Sequence, residues 1–589
     1  MTARRGVREL DHFPNLVSMF FTRAEQQGDA PFLWAKHDGA WQPTSWRDAA
    51  RQVAALAASL KALGLKPGER VMLVSENRPE WLISDLAIMA AGCVTVPTYT
   101  TNTTRDHQHI LGNSGARAVI VSSQKLARNL VPAVLFSSEC HHIISFDPLA
   151  VQQSPDVAQF HSWTDMASGP ADVAAAGAAA ATIKRGDLAC LIYTSGTGGA
   201  PRGVRQHHGA ILHNVEGCID VIANDFGWDD EVFLSFLPAS HAYEHSGGQY
   251  FPVGLGAQIY FAESLEKLAA NIEEVRPTLM VVVPRLFEML RARILKTIEK
   301  DGGLPAYLLA RALTIEGRRA AGSMWLIDAP MDKLLDFTLR KKVQAKFGGR
   351  IKAMVSGGAP LNPEVGLFFQ ATGIVMLQGY GQTEAGPVIS CNRPAAGIAM
   401  ETVGPPLLGT EVRIAGDGEI MVRGELVMHG YWRDPEGSAK VLQDGWLATG
   451  DVGHLDAKGR IVITDRKKDL IINDKGDNVA PQRVEGMLTL QPEIAQAMVY
   501  GDRRPHLVAL LVPEADIADA PDLAARLSKA VDRVNADLSV VEKVRRFIVA
   551  DAPFTVENEQ LTPSIKIRRH VIGAAYGERL AALYAGAKR

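Results

Sequence analysis

One loop rich in glycine and hydroxyl residues constrains this chain more than any other stretch of its sequence. An apolar run over residues 188–193 precedes it and is typical of a buried strand, and a helical segment is predicted to begin near Gly209. Between them lie Thr194, Ser195, Gly196, Thr197, Gly198, Gly199, Ala200, Pro201 and Arg202. Glycines let backbone N–H groups approach anionic oxygens, hydroxyls add donors, and Arg202 adds positive charge. We therefore predict a phosphate-binding loop running from a strand towards a helix, with a plain surface turn as the alternative.

Length and composition place the chain among globular proteins of more than one domain. Its 589 residues exceed what a single core supports. The net charge of −3 argues against a nucleic-acid partner. Five scattered cysteines without a CxxC pair favour reduced thiols and a cytoplasmic location. The sequence shows no signal peptide and no apolar run of membrane-spanning length, which leaves peripheral contact with the inner face of a membrane open.

The first part of the chain alternates predicted helices and strands. Ser45 and Asp48 are typical of a capping box, and apolar residues then recur at helical spacing as far as Gly64. Strands are predicted over 71–74, 94–96 and 118–121, with a helix over 79–91. This alternation indicates an α/β domain with parallel strands. An alanine-rich run over 171–181 fits either a loop or a weak helix.

Two further glycine-containing segments each come after an apolar run. Gly358, Ala359 and Pro360 come after the run 351–355. After the run 374–377 come Gln378, Gly379, Tyr380, Gly381, Gln382, Thr383 and Glu384. Both segments are predicted to form loops at one edge of a parallel sheet, where α/β proteins bind ligands. Glycines allow a flat base to lie against the backbone, Tyr380 offers a stacking face, and Glu384 is an oxygen ligand of the kind that Mg²⁺ prefers.

A histidine-containing segment permits a different interpretation. His241, Glu244 and His245 match the H-x-x-E-H pattern of zinc hydrolases, in which two histidines on one helix face bind zinc beside a glutamate base. A nearby proline and two glycines crowd the helix that such a site requires. A histidine satisfied within a loop is the plainer alternative.

Several motifs occur in the order typical of the adenylate-forming superfamily, which includes acyl-CoA synthetases, luciferases and nonribosomal adenylation domains. Residues 193–203 resemble its signature Y-T-S-G-T-T-G-x-P-K-G, with Gly198 in place of a threonine and Arg202 in place of a lysine. Arginine keeps the charge but changes the geometry of phosphate binding. The segment ending at Glu384 resembles x-G-x-T-E. Residues 277–285 resemble the P-T-x-x-x-x-V-P-R segment of the long-chain branch, so the chain is similar to bacterial long-chain fatty acyl-CoA synthetases.

This resemblance implies roles for residues outside the glycine-rich segments. His241, in an L-P-x-x-H segment, would lie near the acyl carboxylate, and Asp451, in T-G-D, would receive the ribose hydroxyls. Arg466 would contact the ribose-phosphate side, and Lys468 would be the hinge between two domains. Lys566, in a T-P-x-x-K-x-x-R setting, would be the catalytic lysine.

The implied site comprises three groups of residues. The catalytic residues would be Thr194, Arg202, His241, Glu384 and Lys566. Mg²⁺ would bind Thr194 and Glu384. ATP or AMP would contact Thr194, Ser195, Gly196, Thr197, Gly198, Gly199, Arg202, Gly358, Ala359, Pro360, Gln378, Gly379, Tyr380, Gly381, Gln382, Thr383, Asp451, Arg466 and Lys566.

The resemblance also implies an α/β fold with two domains. A large N-terminal adenylate-forming domain, residues 1–466, would contain parallel or mixed sheets flanked by helices. A small mobile α+β domain, residues 467–589, would carry Lys566. Residues 291–350 resemble an extra helical segment of the long-chain branch, whose basic residues favour a solvated face over a membrane patch.

The implied function is ATP-dependent ligation of a long-chain fatty acid to coenzyme A through an acyl-adenylate, with release of AMP and pyrophosphate. Within the superfamily, the alternative is a fatty acyl-AMP ligase that passes the acyl group to a carrier protein. A zinc hydrolase using His241, Glu244 and His245 is the alternative from another class. The acyl chain length and the formation of a homodimer are left open.

Overall fold

Two large sheets flanked by helices form the framework of the molecule. The computed structural model describes residues 12–150, 158–194, 200–475, 477–562 and 567–585. Within those residues the first sheet has seven strands, which in spatial order are Gln159–Ser162, His142–Ser145, Ala116–Val121, Arg70–Val74, Val94–Thr98, Leu188–Thr194 and Arg202–His207. Neighbouring strands are parallel except the last pair, which is antiparallel. The predicted alternation is confirmed, because the helices Pro79–Ala90 and Thr104–Ser114 connect consecutive parallel strands.

The second large sheet has eight strands in the described part of the chain. In spatial order they are Val388–Cys391, Met376–Gly381, Ala353–Ser356, Leu279–Val282, Val232–Ser235, Gln258–Phe261, Pro31–His37 and Ala40–Ser45. The two outermost pairs are antiparallel and all other pairs are parallel. The strands ending at Val282, Ser356 and Gly381 therefore present their C-terminal ends at one edge, as predicted.

Smaller sheets come later in the chain. An antiparallel sheet contains Glu411–Ile414, Glu419–Arg423 and Trp446–Leu455, and both Leu442–Gln443 and Ile461–Arg466 pair with its longest strand. Ile471–Ile472 pairs with Asn478–Val479. The final sheet consists of Ile494–Tyr500, Leu507–Pro513 and Val544–Val549.

Helices cover the sheets. The α-helices are Leu16–Gln27, Trp46–Ala62, Pro79–Ala90, Thr104–Ser114, Gln124–Leu135, Trp163–Ala167, Val173–Ala180, His208–Asp225, Ala242–Glu244, Phe251–Leu255, Leu268–Val275, Pro284–Asp301, Gly303–Ala320, Asp328–Leu335, Lys341–Lys346, Pro363–Ala371, Pro435–Val441, Pro481–Leu488, Leu523–Asp537 and Arg569–Ala582. Two π-helices, His245–Tyr250 and Asp336–Arg340, and two 3₁₀ turns, Thr383–Ala385 and Pro394–Ala396, complete the described helical elements. In the described parts of the chain, no helix combines the length and hydrophobicity needed to span a bilayer.

The largest core lies between the two large sheets. It includes Leu73 and Ile120 from the first sheet and Phe233 and Ile259 from the second, and these side chains are almost inaccessible to solvent. Burying one such side chain stabilises the folded state by about 1.5–3 kcal/mol relative to leaving it exposed to water. Two smaller cores contain only residues from 471 onwards. The α/β fold class is confirmed, and the domain boundary between residues 466 and 467 stays a prediction.

The glycine-rich loop leads into a different element from the predicted one. The strand Arg202–His207 comes after the loop and pairs with Leu188–Thr194, so the loop joins two strands of a hairpin, and the helix begins only at His208. This strand has no recognisable sequence pattern, because Val204 is its one apolar residue. Pairing with the neighbouring strand supplies the stabilisation instead. Ser195, Gly196, Thr197, Gly198 and Gly199 lie outside the described residues.

Two local predictions also need correction. Gln378 to Gly381 do not form a loop, because they continue the strand Met376–Gly381, and the turn starts at Gln382. The glycines after His245 do not break the helix, because a π-helix over His245–Tyr250 joins two short α-helices. The alanine-rich run forms the helix Val173–Ala180.

Candidate active site

The hairpin sets Thr194 and Arg202 opposite each other, at the end of one strand and the start of the next. The Arg202 guanidinium lies over the ring of Tyr431, 3.9 Å from its centroid. Its Nη1 atom is 3.7 Å from a carboxylate oxygen of Asp434. The ring face and the carboxylate both attract a cation. Arg202 is therefore held in a defined direction at the base of the glycine-rich loop.

Tyr431 connects Arg202 to Glu384. Its hydroxyl donates a hydrogen bond to Glu384 Oε1 over 2.9 Å. Burial, and then the Glu384 carboxylate, raise the pKa of Tyr431, so the hydroxyl remains a donor. The backbone of Tyr431 forms a bridge with Val204 in the hairpin. No sequence motif points to Tyr431, because its position depends on pairing between segments that are far apart in the chain.

The turn that carries Glu384 is fixed by backbone contacts. Gln206 Nε2 donates to the carbonyl of Thr383 over 2.6 Å, and Met428 N donates to the carbonyl of Glu384 over 2.9 Å. A Cβ atom at Gly381 would overlap the Pro387 carbonyl. Glycine is therefore required where the two strands beside this turn approach each other.

Asp451 joins Tyr380 and Arg466. The Tyr380 hydroxyl donates to Asp451 Oδ2 over 2.7 Å, and Arg466 Nε lies 3.1 Å from Asp451 Oδ1. Asp451 and Arg466 face each other on antiparallel strands. Burial, and then the Asp451 charge, raise the pKa of Tyr380. The carboxylate of Asp451 is buried but has a cation and a donor beside it, which offset the cost of burying its charge.

The segment of His241 packs against the loop of Gly358. The Tyr243 hydroxyl donates to the carbonyl of Val355 over 2.8 Å. A Cβ atom at Gly357 would lie 2.8 Å from the Tyr243 ring, so the residue there must be small. His241 Nδ1 accepts from Tyr243 N over 3.2 Å and thereby caps the short helix Ala242–Glu244. Ala359 and Pro360 are exposed beside this contact.

Two buried polar atoms at this edge of the sheet have no protein partner among the described residues. They are Ser356 Oγ, at the end of its strand, and Gln382 Nε2, at the start of the Glu384 turn. Buried donors and acceptors without partners destabilise a fold. A polar ligand at this edge would supply the missing partners. Gln378, by contrast, turns its side-chain amide towards the carbonyls of Met400 and Thr402.

Glu244 and His245 belong to a buried polar network. Ser235 Oγ donates to Glu244 Oε1 over 2.6 Å. His245 Nε2 lies 3.0 Å from Asp85 Oδ2, which also accepts from the Tyr250 hydroxyl over 2.5 Å. The two residues thus have separate partners inside the core, which favours a structural role over zinc binding. Over the described ranges, no set of three or more His, Cys, Asp or Glu side chains is arranged to hold a metal ion.

Glu244 makes the stability of the protein depend on pH. Burial raises the pKa of Glu244 from 4.5 to about 8, so the folded state keeps a proton that the unfolded state loses near pH 4.5. The stability of the wild type should therefore fall as pH rises from about 5 to 8. Glu244→Gln is neutral at every pH, so its melting temperature should rise relative to that of the wild type as pH increases over that range. Melting temperatures measured at pH 5, 6.5 and 8 test this.

A control distinguishes this effect from a general dependence of stability on pH. Glu578 is exposed on the helix Arg569–Ala582, so Glu578→Gln should track the wild-type profile. If Glu244→Gln and the wild type differ by a constant amount at all three pH values, Glu244 does not titrate as stated.

Two implied residues, Lys566 and Lys468, belong to the C-terminal part of the chain. Lys566 lies outside the described residues. Lys468 is exposed in the turn after the strand Ile461–Arg466. Its neighbour Lys467 donates from its backbone to the carbonyl of Gly450 over 2.9 Å, and from Nζ to Asp417 and Glu419. Lys468 therefore comes directly after the last residue that these contacts fix to the preceding sheet.

The arrangement brings most of the described candidates to one region. The hairpin, the Glu384 turn and the Tyr431 segment are directly bonded to one another. Against the effect of burial, nearby carboxylates that include Asp451 and Glu384 raise the pKa of Arg466. A family model described as AMP-binding enzyme matches residues 20–432, and one described as AMP-binding enzyme C-terminal domain matches residues 468–588. The chain therefore belongs to the AMP-binding enzyme family, and its predicted membership of the adenylate-forming superfamily is confirmed.

Individual proteins show the same relationship. A Mycobacterium tuberculosis protein named long-chain-fatty-acid–CoA ligase FadD15 is 31% identical over 97% of this chain and 97% of its own length. A chloroplastic protein of Arabidopsis thaliana, named long-chain-fatty-acid–[acyl-carrier-protein] ligase AEE15, is 27% identical over 95% of this chain and 85% of its own. The adenylation domain of a carboxylate reductase from Mycobacterium chelonae matches with a TM-score of 0.76 at 24% identity, covering 97% of this chain and 91% of that one, which supports the fold.

Proposed function

We propose that this protein ligates a long-chain fatty acid to coenzyme A with ATP, through an acyl-adenylate, and releases AMP and pyrophosphate. The observation that carries the proposal is the 31% identity, over nearly the full length of both chains, to a protein named a long-chain-fatty-acid–CoA ligase. The cluster formed by Arg202, Tyr431 and Glu384 beside the glycine-rich hairpin supports it, because a triphosphate requires fixed cations and donors.

In the first half-reaction, a carboxylate oxygen attacks the α-phosphorus of ATP and the bond to pyrophosphate breaks. Two anions must approach each other, so positive charge and N–H donors have to offset their repulsion. Arg202 is proposed to contact the phosphates from the base of the hairpin, where Tyr431 and Asp434 orient it. Lys566 is proposed to reach both the carboxylate and the α-phosphate, since a flexible ammonium does so better than a rigid guanidinium. His241 is proposed to lie near the acyl carboxylate.

The nucleotide is proposed to lie along the edge formed by the strands ending at Ser356 and Gly381. Asp451 would receive the ribose hydroxyls, with Arg466 on the ribose-phosphate side. The backbone of the two glycine-containing segments would contact the base, and Tyr380 would stack on it. The unpartnered atoms Ser356 Oγ and Gln382 Nε2 support a polar ligand at this edge.

Magnesium is proposed to bind Glu384 and Thr194. Their carboxylate and hydroxyl oxygens are hard donors of the kind that this ion prefers. When bound, Mg²⁺ supplies positive charge that neutralises phosphate oxygens. Tyr431 restricts the orientation of the Glu384 carboxylate through its hydrogen bond to Oε1. Outer hydrogen bonds of this kind keep metal ligands in place.

In the second half-reaction, the thiol of coenzyme A attacks the acyl carbon and AMP leaves. We propose that the C-terminal domain turns about Lys468 between the two steps and withdraws Lys566, so that one site serves both reactions. The exposed position of Lys468, directly after the anchored Lys467, supports a hinge there.

Lys468→Pro should impair thioester formation more than adenylation. Proline fixes its own φ angle and restricts the residue before it, so the hinge would lose the rotation needed between the steps. ATP/pyrophosphate exchange measures the first step, and CoA-dependent thioester formation from supplied acyl-adenylate measures the second. Lys468→Ala, which keeps backbone freedom, is the matched control. Equal losses in both assays would place the hinge elsewhere.

The proposed activity is tested by ATP/pyrophosphate exchange over a panel of carboxylic acids, followed by addition of coenzyme A. Exchange with long-chain acids and release of AMP with thioester support it, whereas no exchange with any fatty acid contradicts it. The second candidate, transfer to a carrier protein, is favoured by the similarity to the acyl-carrier-protein ligase of Arabidopsis. It predicts acyl-adenylate that accumulates with coenzyme A and disappears with an acyl carrier protein. A cytoplasmic location and contact with the inner face of the membrane form part of the proposal.

A further inference from the structure

A group of large apolar side chains is exposed at one end of the helical segment that comes after the second sheet's strand Leu279–Val282. Met324, Trp325, Leu326 and Ile327 are consecutive, and Leu326 and Ile327 are 96% and 76% exposed. They connect the helices Gly303–Ala320 and Asp328–Leu335. Contiguous exposed apolar surface on a folded protein marks an interaction site. We call these four residues the apolar tip.

The helix after the apolar tip also exposes large apolar side chains. Leu335 and Leu339 face the core, four residues apart, whereas Leu334 and Phe337 are exposed, the latter at 71%. Residues three apart lie on one helix face, so Leu334 and Phe337 form an outward apolar stripe. Phe337 lies ten positions after Ile327, which corresponds to about 15 Å along a helix.

Positive charge accompanies these apolar residues. Lys333, Lys341 and Lys342 are all exposed along the same helical run. Residues 284–350 contain fourteen lysines and arginines against seven acidic residues, in a chain with a net charge of −3. This segment therefore carries a net charge of +7, whereas the rest of the chain carries −10.

The apolar tip is held in place by its neighbours. The Arg318 guanidinium lies over the Trp325 ring, 4.4 Å from its centroid, and its Nη1 donates to the buried Asp328 carboxylate over 2.8 Å. Trp325 N also donates to Asp328 Oδ2 over 3.2 Å. The exposed side chains therefore project from an anchored turn, and their exposure is not that of a loose chain end.

We propose that the apolar tip and the Leu334–Phe337 stripe dock on an anionic lipid surface, which assigns to named residues the membrane contact included in the proposed function. Lysine beside tryptophan, leucine and phenylalanine is the combination by which interfacial helices bind membranes, with the apolar side chains entering the headgroup region and the cations meeting anionic lipids. The basic residues alone indicate a solvated face. The structure changes that interpretation, because it sets large apolar side chains outward beside them.

Vesicle binding tests the docking surface. The full-length protein should co-sediment with vesicles of phosphatidylcholine and phosphatidylglycerol, and about tenfold less with phosphatidylcholine alone or in high salt. Leu326→Ser combined with Ile327→Ser should lower binding to vesicles by about tenfold or more, because each substitution removes apolar surface that would otherwise be buried in the lipid. Lys341→Glu combined with Lys342→Glu should abolish the preference for anionic vesicles.

Matched controls remove the same chemistry elsewhere. Phe136 and Val540 are 81% and 74% exposed at other sites, so Phe136→Ser combined with Val540→Ser should leave binding unchanged. Lys61→Glu combined with Lys125→Glu makes the same charge change at exposed positions outside this segment. Melting temperatures should be equal in all these variants, which shows that they are folded.

Fluorescence quenching gives an independent measurement of contact. Brominated lipids should quench part of the tryptophan fluorescence in anionic vesicles, and Trp325→Phe should remove that part. The proposal is overturned if the tip variants bind vesicles as the wild type does, or if Trp325→Phe leaves quenching unchanged. It is also overturned if the wild type is a dimer that Leu326→Ser with Ile327→Ser converts to a monomer while no variant binds vesicles, because the surface would then join two copies of the chain.

Discussion

Lys566→Ala should slow acyl-adenylate formation by about 100-fold or more, the loss typical of removing a donor that stabilises developing charge. The prediction rests on the T-P-x-x-K-x-x-R setting of Lys566 and on the need for a cation between carboxylate and α-phosphate. Thioester formation from supplied acyl-adenylate should persist, because the lysine is proposed to leave the site before that step. ATP/pyrophosphate exchange and single-turnover thioester formation measure the two steps separately.

Arg568→Ala is the matched control for this experiment. It removes a different cation from the same segment, one whose guanidinium donates to the carbonyl of Glu559 over 3.3 Å within the C-terminal part of the chain. Its adenylation rate should stay near that of the wild type. Near-normal adenylation in Lys566→Ala, or an equal loss in both variants, would refute the specific role of Lys566.

Glu384→Ala should raise the Mg²⁺ concentration required for adenylation by about 100-fold. Loss of groups that only support a metal ligand costs about 10–100-fold in affinity, so loss of the ligand itself should lie at the upper end of that range. Tyr431→Phe removes only the hydrogen bond to Glu384 Oε1 and keeps the ring beneath Arg202. It should therefore shift the Mg²⁺ titration in the same direction by about tenfold or less.

The two variants together separate metal binding from a general loss of activity. At saturating Mg²⁺, Tyr431→Phe should recover most of the adenylation rate, since the cation–π contact with Arg202 is retained. Glu401 is exposed and lies outside the candidate site, so Glu401→Ala should not alter the titration. An unchanged Mg²⁺ requirement in Glu384→Ala would mean that this carboxylate does not bind the ion.

The elements with strong local signals were predicted well. The helix after Ser45 begins where its capping residues indicate, with Asp48 N donating to Ser45 Oγ. The predicted strands around residues 71–74, 94–96 and 118–121 are present and parallel. Apolar runs and capping residues act within a few positions of one another, so these features are visible in a single sequence.

Elements stabilised by distant partners were predicted less well. The strand Arg202–His207 has one apolar residue and exists because it pairs with Leu188–Thr194 on one side and meets Tyr431 on the other. The helix continues through the glycines after His245 because they pack closely against the sheet. A Cβ atom added at Gly247 would lie only 3.1 Å from the Val281 side chain. Neither contact leaves a periodic pattern in the sequence.

The sequence by itself determined the family, the order of the motifs and the α/β class, because these depend on residue identity and short-range periodicity. Only the tertiary structure decided that Tyr431 would link Arg202 to Glu384, and that Asp451 would be buried between Tyr380 and Arg466. It also decided that the apolar side chains of residues 324–327 would face outward. The reason is the same in each case: the neighbours of these side chains come from segments far apart in the chain, and burial or exposure is a property of the packed molecule.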